Sequence, residues 1–261
     1  MKLLWRNGLL LIIGIYVVSL ISCFNPKNYQ AMYSWSEIHI DTTIEKSTEM
    51  EQIITPYRLS LDSIMDEVIG YAKHDLRSSE RYESALGTFV TKLILDQSRA
   101  TFEKEVDIAI MNHNGGLRAP INKGDITLGN IYEVMPFENQ IILLEMTGSE
   151  LLDMIQFIGK SGRSMAYPVS YEVNDDGVSN ILLSGEEVIP EEEYVLAVSD
   201  YMANGGSGFR MLKNLPRIDV ETIMLRDMIV KEVKDRSAQG LQIKQEVMNN
   251  IVVHHSEPKG S

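Results

Sequence analysis

Cysteine is almost missing from this sequence. Its 261 residues contain one, Cys23, so no internal disulfide can form. Histidine is scarce as well. His39, His74, His113, His254 and His255 are the full set, and none stands at a spacing that gathers metal ligands. The pair His254-His255 lies in a polar stretch near the end and reads as solvated. Neither a glycine-rich P-loop nor a Ser, His and Asp constellation for nucleophilic catalysis is present. Basic residues are the minority, 24 Lys and Arg against 37 Asp and Glu, for a formal net charge of −13. Such a surface repels polynucleotide backbones at long range, so no nucleic-acid partner is expected. A small anionic ligand would need a local basic site built against the overall field. Internal repeats are absent, and so is any domain linker after residue 40.

What is present begins with a targeting pattern. Lys2 and Arg6 precede an apolar run over residues 9–21 that is too short for a comfortable membrane span. The run ends in Leu20-Ile21-Ser22-Cys23, which resembles the lipobox of bacterial lipoproteins. The expected layout is a signal peptide over 1–22, lipidation at Cys23 and a polar tether over 23–44. A domain over 45–245 and a polar, frayed tail over 246–261 follow. This places the chain in the bacterial cell envelope, held to the membrane by a lipid anchor and facing the periplasm or the cell surface. Phe24 follows the cysteine, and by resemblance to enterobacterial sorting that gives no inner-membrane retention signal. An uncleaved anchor helix with an incidental cysteine is the alternative.

Along the domain, Ile38-His39-Ile40 reads as a first strand. Residues 60–72 place Leu61, Ile64, Met65, Val68 and Ile69 at helical spacing, a segment leading into the domain. A second helix over 83–97 turns Leu86, Phe89, Val90, Leu93 and Ile94 inward, and Gly87 within it implies close packing against another backbone. Thr147 and Glu150 have capping-box spacing, with Leu151, Leu152, Ile155 and Ile158 as the buried face and Gly159 and Gly162 as the stop. Strands over 169–173, 181–183 and 194–198 are joined by turns at Asp175-Asp176-Gly177 and Ser184-Gly185. The acidic cluster over 186–193 is a solvated hairpin. A closing helix starts at Asp219. Mixed element order with hairpin-linked strands gives an α+β class, with mixed, largely antiparallel sheets layered with helices.

The chain is organised around residues 107–148. A buried strand over 106–111 delivers the backbone into Asn112-His113-Asn114-Gly115-Gly116-Leu117-Arg118, where two glycines permit a bend and a close approach to a ligand. Arg118 sits on the rim of that turn. A second turn, Pro136-Phe137-Glu138-Asn139, carries an aromatic ring. An arginine and an exposed ring on neighbouring turns suit an anionic ligand with a flat ring. Asp125 and Thr127 read as a turn and a strand entry, and Tyr132 as packed.

Three stretches together resemble the C-terminal domain of the 5′-nucleotidase family, which includes periplasmic UDP-sugar hydrolases. They are Glu83-Ser84-Ala85-Leu86-Gly87, the block from Asn112 through the Pro136-Phe137 turn, and Asp200-Tyr201-Met202-Ala203-Asn204-Gly205-Gly206-Ser207-Gly208-Phe209. The likeness spans roughly residues 45–240. It implies that Arg118 contacts a phosphate or sits beside it, that Phe137 and Tyr201 sandwich a base, and that the loop 204–208 meets the ribose through Asn204, Gly206 and Ser207. It extends the substrate-binding set to Asn112, His113, Asn114, Gly115 and Gly116. Arg81 corresponds to a second ligand arginine. Departures from the family pattern are His113, Thr88, Lys92 and Ser207, where the family carries asparagine, asparagine, aspartate and an acidic residue.

In that family a separate N-terminal metallophosphatase domain does the chemistry, and its Asp, His and Asn metal-ligand clusters are missing from this sequence. The resemblance therefore implies no catalytic residue, metal site or cofactor in this chain. It implies a nucleotide- or nucleoside-binding subunit of a split 5′-nucleotidase-like phosphohydrolase in nucleotide catabolism. The divalent metals then belong to a separate metallophosphatase polypeptide as partner. A non-catalytic, lipid-anchored binding protein for nucleosides or nucleotide sugars is the alternative, and a structural surface protein the third.

Overall fold

The computed structural model describes Glu37 and residues 45–78, 81–102, 104–246, 248 and 250–254, apart from the side chains at 219, 220 and 222. The signal segment, Cys23, His39 with its expected strand, most of the tether and His255 lie outside the described residues. The chain divides into two compact units, Met1–Glu51 and Gln52–Ser261. In the first, the described residues are Glu37 and 45–51, which enter a helix.

In chain order the elements are α1 (Thr48–Met65), β1 (Val68–Ala72), α2 (Ala85–Phe102), β2 (Ile108–Met111), β3 (Gly124–Thr127), α3 (Leu128–Val134) and β4 (Gln140–Thr147). Then come α4 (Gly148–Ser161), β5 (Met165–Tyr167), β6 (Val169–Asn174), β7 (Gly177–Leu183), β8 (Glu186–Glu187), β9 (Glu193–Ser199), β10 (Arg217–Met224), α5 (Leu225–Ala238) and β11 (Ile251–Val253). The class is α+β, as the mixed element order implies.

A five-stranded sheet in the order β10-β4-β9-β2-β5 forms the centre. All its pairings are antiparallel except β2 with β9. Side chains alternate across it and feed two apolar layers. Ala109, Met111, Ile141, Leu143 and Ala197 pack on one side with α2, α3 and α5. Ile108, Ile110, Leu144, Met146, Leu196 and Val198 pack on the other with α4 and the second sheet, β11-β6-β7-β8. Each fully buried Ile or Leu contributes about 1.5–3 kcal/mol relative to exposure, so the two layers together fix the sheet.

Local signals explain the helices. Ser84 caps α2, its Oγ accepting from Gly87 N–H at 3.1 Å. Leu86, Phe89, Val90, Leu93 and Ile94 are all buried. Gly87 is required by side chains, not by another backbone: a Cβ there would lie 2.7 Å from Met165 Sδ and 2.9 Å from His113 Cβ. The Thr147–Glu150 box closes on α4 in both directions, at 3.3 and 2.8 Å. Gly162, at φ 61°, terminates it, whereas Gly159 lies inside and packs against Val178 and Tyr171.

Four segments differ from the sequence reading. Residues 60–72 are not one helix. α1 ends at Met65, and Val68–Ala72 pairs antiparallel with β3, because β-branched Val68 pairs with Thr127 there, Ile69 is buried in the core, and Gly70 leaves room for Val233, whose Cγ1 would be 2.5 Å from a Cβ. Along all of α1 no residue is buried. The closing helix does not start at Asp219, since β10 runs over 217–224 and pairs with β4 through Arg217, Ile218, Ile223 and Met224, Met224 opposite Gln140, and Met224 is the N-cap. Thr127 ends β3 and caps α3, accepting from Asn130 N–H at 3.2 Å. Finally, Ile251–Val253 in the polar tail adds a parallel strand to β6, with His254 Nε2 at 2.9 Å from Glu172 Oε2.

Candidate functional site

Three strand ends meet at one edge of the central sheet. β2 and β9 run parallel and β4 runs antiparallel to β9, so the exits of β2 and β9 lie beside the entry of β4. Each of these ends carries a loop.

Beyond β2 the chain makes a tight turn, His113–Gly116, in which Gly115 adopts φ 106°, a region only glycine enters at no cost. Gly116 N–H donates to the Asn112 carbonyl at 2.9 Å, and a Cβ on Gly116 would lie 2.5 Å from Asn112 Oδ1. Arg118 follows, exposed, with Nη1 donating to the Gly115 carbonyl at 3.3 Å. Among the described residues no carboxylate forms an ion pair with it. Its main-chain N–H donates to the Val134 carbonyl at 2.9 Å. That hydrogen bond ties the arginine turn to the end of α3, just where the Pro136-Phe137 turn begins.

The loop after β9 is fixed as firmly. Ser199 Oγ accepts from Met202 N–H at 3.3 Å, and Asp200 Oδ1 accepts from Tyr201 N–H at 2.8 Å and from Gln140 N–H at 3.2 Å. This carboxylate pins the exit of β9 to the entry of β4. Gly205, Ser207 and Gly208 have φ of 92°, 52° and 88°. Tyr201 Oη accepts from Ser207 N–H at 3.3 Å, and Ser207 Oγ accepts from Asn112 Nδ2 at 2.8 Å. The loops beyond β2 and β9 are thereby cross-linked through side chains.

Between them lies a cleft of about 340 Å³, within the range of small-ligand sites. Arg118, Phe137, Asn139 and Tyr201 line it, over a floor of Asn112, Gly115, Gly116 and Ser207. Phe137 and Tyr201 are 40% and 49% exposed, large values for aromatic side chains. The described lining contains no carboxylate, thiol or imidazole. Among the described residues, no group of three or more His, Cys, Asp or Glu side chains is placed to hold a metal.

Of the residues expected at the site, Asn112, Gly115, Gly116, Arg118, Phe137, Tyr201 and Ser207 come together here. His113 is fully buried beside Gly87 beneath the turn. Asn114 is exposed outside the cleft, its N–H donating to the Arg163 carbonyl at 3.2 Å. Asn204 Oδ1 accepts from Arg217 Nη2 at 2.7 Å. Gly206 backs the Tyr201 ring, which would be 2.5 Å from a Cβ. Arg81 lies over the Tyr82 ring, 4.8 Å from its centroid, and lines a different cleft beside Val253 and His254. Asn139 lines the cleft although the sequence pointed only to the turn containing it. The available signal was an asparagine two residues beyond a turn aromatic.

A mixed sheet whose loops gather a cationic side chain and two exposed rings at one edge defines an α+β domain with a cleft of small-ligand size. The chain belongs to the 5′-nucleotidase, C-terminal domain family, whose profile matches residues 67–214. It is similar to protein UshA of Escherichia coli (strain K12), 25% identical over 226 residues covering 81% of this chain and 38% of that protein. It is also similar to a 5′-nucleotidase of Vibrio vulnificus (strain CMCP6), 26% identical over 210 residues covering 77% of this chain and 36% of that one. Among solved structures, a 5′-nucleotidase precursor from Thermus thermophilus superposes with a TM-score of 0.66 at 26% identity, covering 80% of this chain and 43% of the other. The chain thus spans about two fifths of the length of the relatives it matches.

Proposed function

We propose that this chain is the nucleotide- or nucleoside-binding subunit of a 5′-nucleotidase-like phosphohydrolase, with hydrolysis supplied by a separate metallophosphatase polypeptide. One observation carries the reading: Arg118, with no carboxylate ion pair among the described residues, shares a cleft with the half-exposed rings of Phe137 and Tyr201. A base stacks on the rings, which requires only π-faces and so tolerates different bases. Arg118 donates charge-assisted hydrogen bonds to an anionic group. Asn112, Asn139 and Ser207 supply neutral polar contacts to the sugar and base edge. The divalent metals that phosphate-ester cleavage needs belong, on this reading, to the partner. The chain itself is held to the bacterial envelope by lipidated Cys23, and a modified Cys23 at the mature N-terminus in mass spectrometry is the expected finding.

Calorimetric titration of the purified chain with nucleosides and nucleoside monophosphates tests the binding. Weak, base-tolerant affinity is expected, micromolar or poorer, and lost in Phe137→Ala and Tyr201→Ala. Absence of binding to every nucleoside and nucleotide refutes the reading. Binding unchanged by both substitutions refutes the ring clamp. The chain alone should release no phosphate with or without divalent metal, because positioning without an activated nucleophile leaves most of the barrier in place.

A further inference from the structure

An exposed apolar surface of the domain lies on α1, whose residues are absent from the cleft lining. Ile53, Tyr57, Leu61 and Ile64 fall at i, i+4, i+8 and i+11, which is one helical stripe. All four are at least half exposed, Tyr57 reaching 71%. Soluble monomers rarely leave such a continuous apolar stripe open to water. The stripe does not end with the helix. At its C-terminus α1 packs on α3 through Gly129, where a Cβ would lie 3.1 Å from the Met65 carbonyl oxygen, and Leu128 N–H donates to the Glu67 carbonyl at 2.9 Å. Tyr132, three residues after Gly129 and so on the same side of α3, is exposed.

Beneath Tyr132 lies Arg226. Its guanidinium carbon is 4.2 Å from the ring centroid, and its side chain is only 9% exposed. Among the described residues its Nε has no hydrogen-bond partner and no carboxylate pairs with it. A buried Nε–H left without an acceptor is an incomplete arrangement. In a chain with 37 acidic side chains, it points to a carboxylate arriving from outside.

We infer that the α1 stripe, with Tyr132 and Arg226 at its end, is the docking surface for the metallophosphatase polypeptide, which covers the stripe with apolar surface and brings a carboxylate to Arg226. This rests on the function proposed above. Two observations select the occupant. The family profile begins at residue 67, directly after α1, and describes a C-terminal domain; the relatives' additional length therefore joins at the α1 end. The surface also leads to the cleft, because α3 touches α1 at Gly129 and holds the Arg118 N–H at Val134. A phosphatase seated on the stripe is delivered to the rim where the anionic group is held. A second copy of the chain would bring a net charge of −13 against itself, and the same acidity disfavours an anionic lipid surface.

The test expresses, one by one, the metallophosphatases of the same genome that lack this domain and measures their affinity for the full chain by interferometry. Nucleotide affinity of the chain alone is measured separately by calorimetry. One phosphatase should bind, and Tyr57→Glu and Leu61→Glu should each weaken it by more than about tenfold while leaving nucleotide affinity unchanged. Both side chains are exposed, so the fold survives these changes. Arg226→Gln should weaken docking as well, with Arg226→Lys retaining part of it. No binding by any phosphatase, or equal binding by the stripe variants, overturns the inference. So does a dimer in sedimentation, or retention on zwitterionic or anionic vesicles, that the same variants abolish. Failure of nucleotide binding with docking intact removes the cleft assignment alone.

Discussion

Replacing Ser207 by aspartate should tighten nucleoside binding, and the structure sets the size of the effect. Ser207 sits at φ 52°, ψ 21°, in the left-handed region where Asp and Asn are several-fold enriched, so the backbone accepts the change. Its Oγ already accepts from Asn112 Nδ2 at 2.8 Å, and its N–H donates to Tyr201 Oη. A carboxylate keeps the Asn112 donor on one oxygen and offers the other to a ligand hydroxyl. Hydrogen bonds to a charged group contribute about 1.5–3 kcal/mol against about 1 kcal/mol for neutral ones. The difference of about 0.5–2 kcal/mol corresponds to roughly two- to thirtyfold in Kd. Calorimetry with a panel of nucleosides reads it directly, and the gain should be smaller for monophosphates, whose charge meets the new one. Ser207→Asn is the control of equal shape without charge. Equal tightening by Asp and Asn, or none by Asp, would refute the reasoning.

Three further outcomes are expected. Tyr171 is buried and its hydroxyl lacks a partner among the described residues, so Tyr171→Phe should stabilise the domain by about 1 kcal/mol in urea unfolding. Gly148→Ala should cost about 3 kcal/mol in the same assay, because the added Cβ overlaps the Ile189 carbonyl at the first residue of α4. Hydrogen bonds from Asn180 and His254 hold the Glu172 carboxyl below its ordinary 4.5. A depressed carboxyl contributes stability above pH 4.5 that is lost as pH falls through its lowered value. The His254 amide, bonded to the Val173 carbonyl at 2.8 Å, should then exchange faster than β4 amides in acid, and Glu172→Gln should abolish the difference.

Much of this fold was legible because local signals and tertiary demands agree. The α2 face and the α4 capping box are examples, each a periodicity backed by a terminal residue that satisfies the backbone. Misreadings fell where a short apolar run fits two periods. Val68 and Ile69 suit a helix by spacing, and pairing with β3 decides otherwise. Residues 217–224 likewise went to β4. Within the cleft, the glycines, Arg118 and the two rings could be placed by turn chemistry. Asn139, the Arg217 hold on Asn204 and the Ser207 bond to Asn112 could not, since each depends on residues distant in sequence meeting at a sheet edge.

The two aromatic jaws of the cleft stand on different foundations. Phe137 follows α3, whose Ile131 and Val134 belong to one apolar layer, while Tyr201 precedes Met202 and Phe209, which belong to the layer across the sheet. The gap between the rings is therefore a gauge of how the two layers are aligned. A cavity cut into either layer, far from any ligand, would shift one jaw and leave the other in place, so that affinity would register core damage before global unfolding does. Ligand preference in such a molecule can drift through substitutions that never touch the ligand.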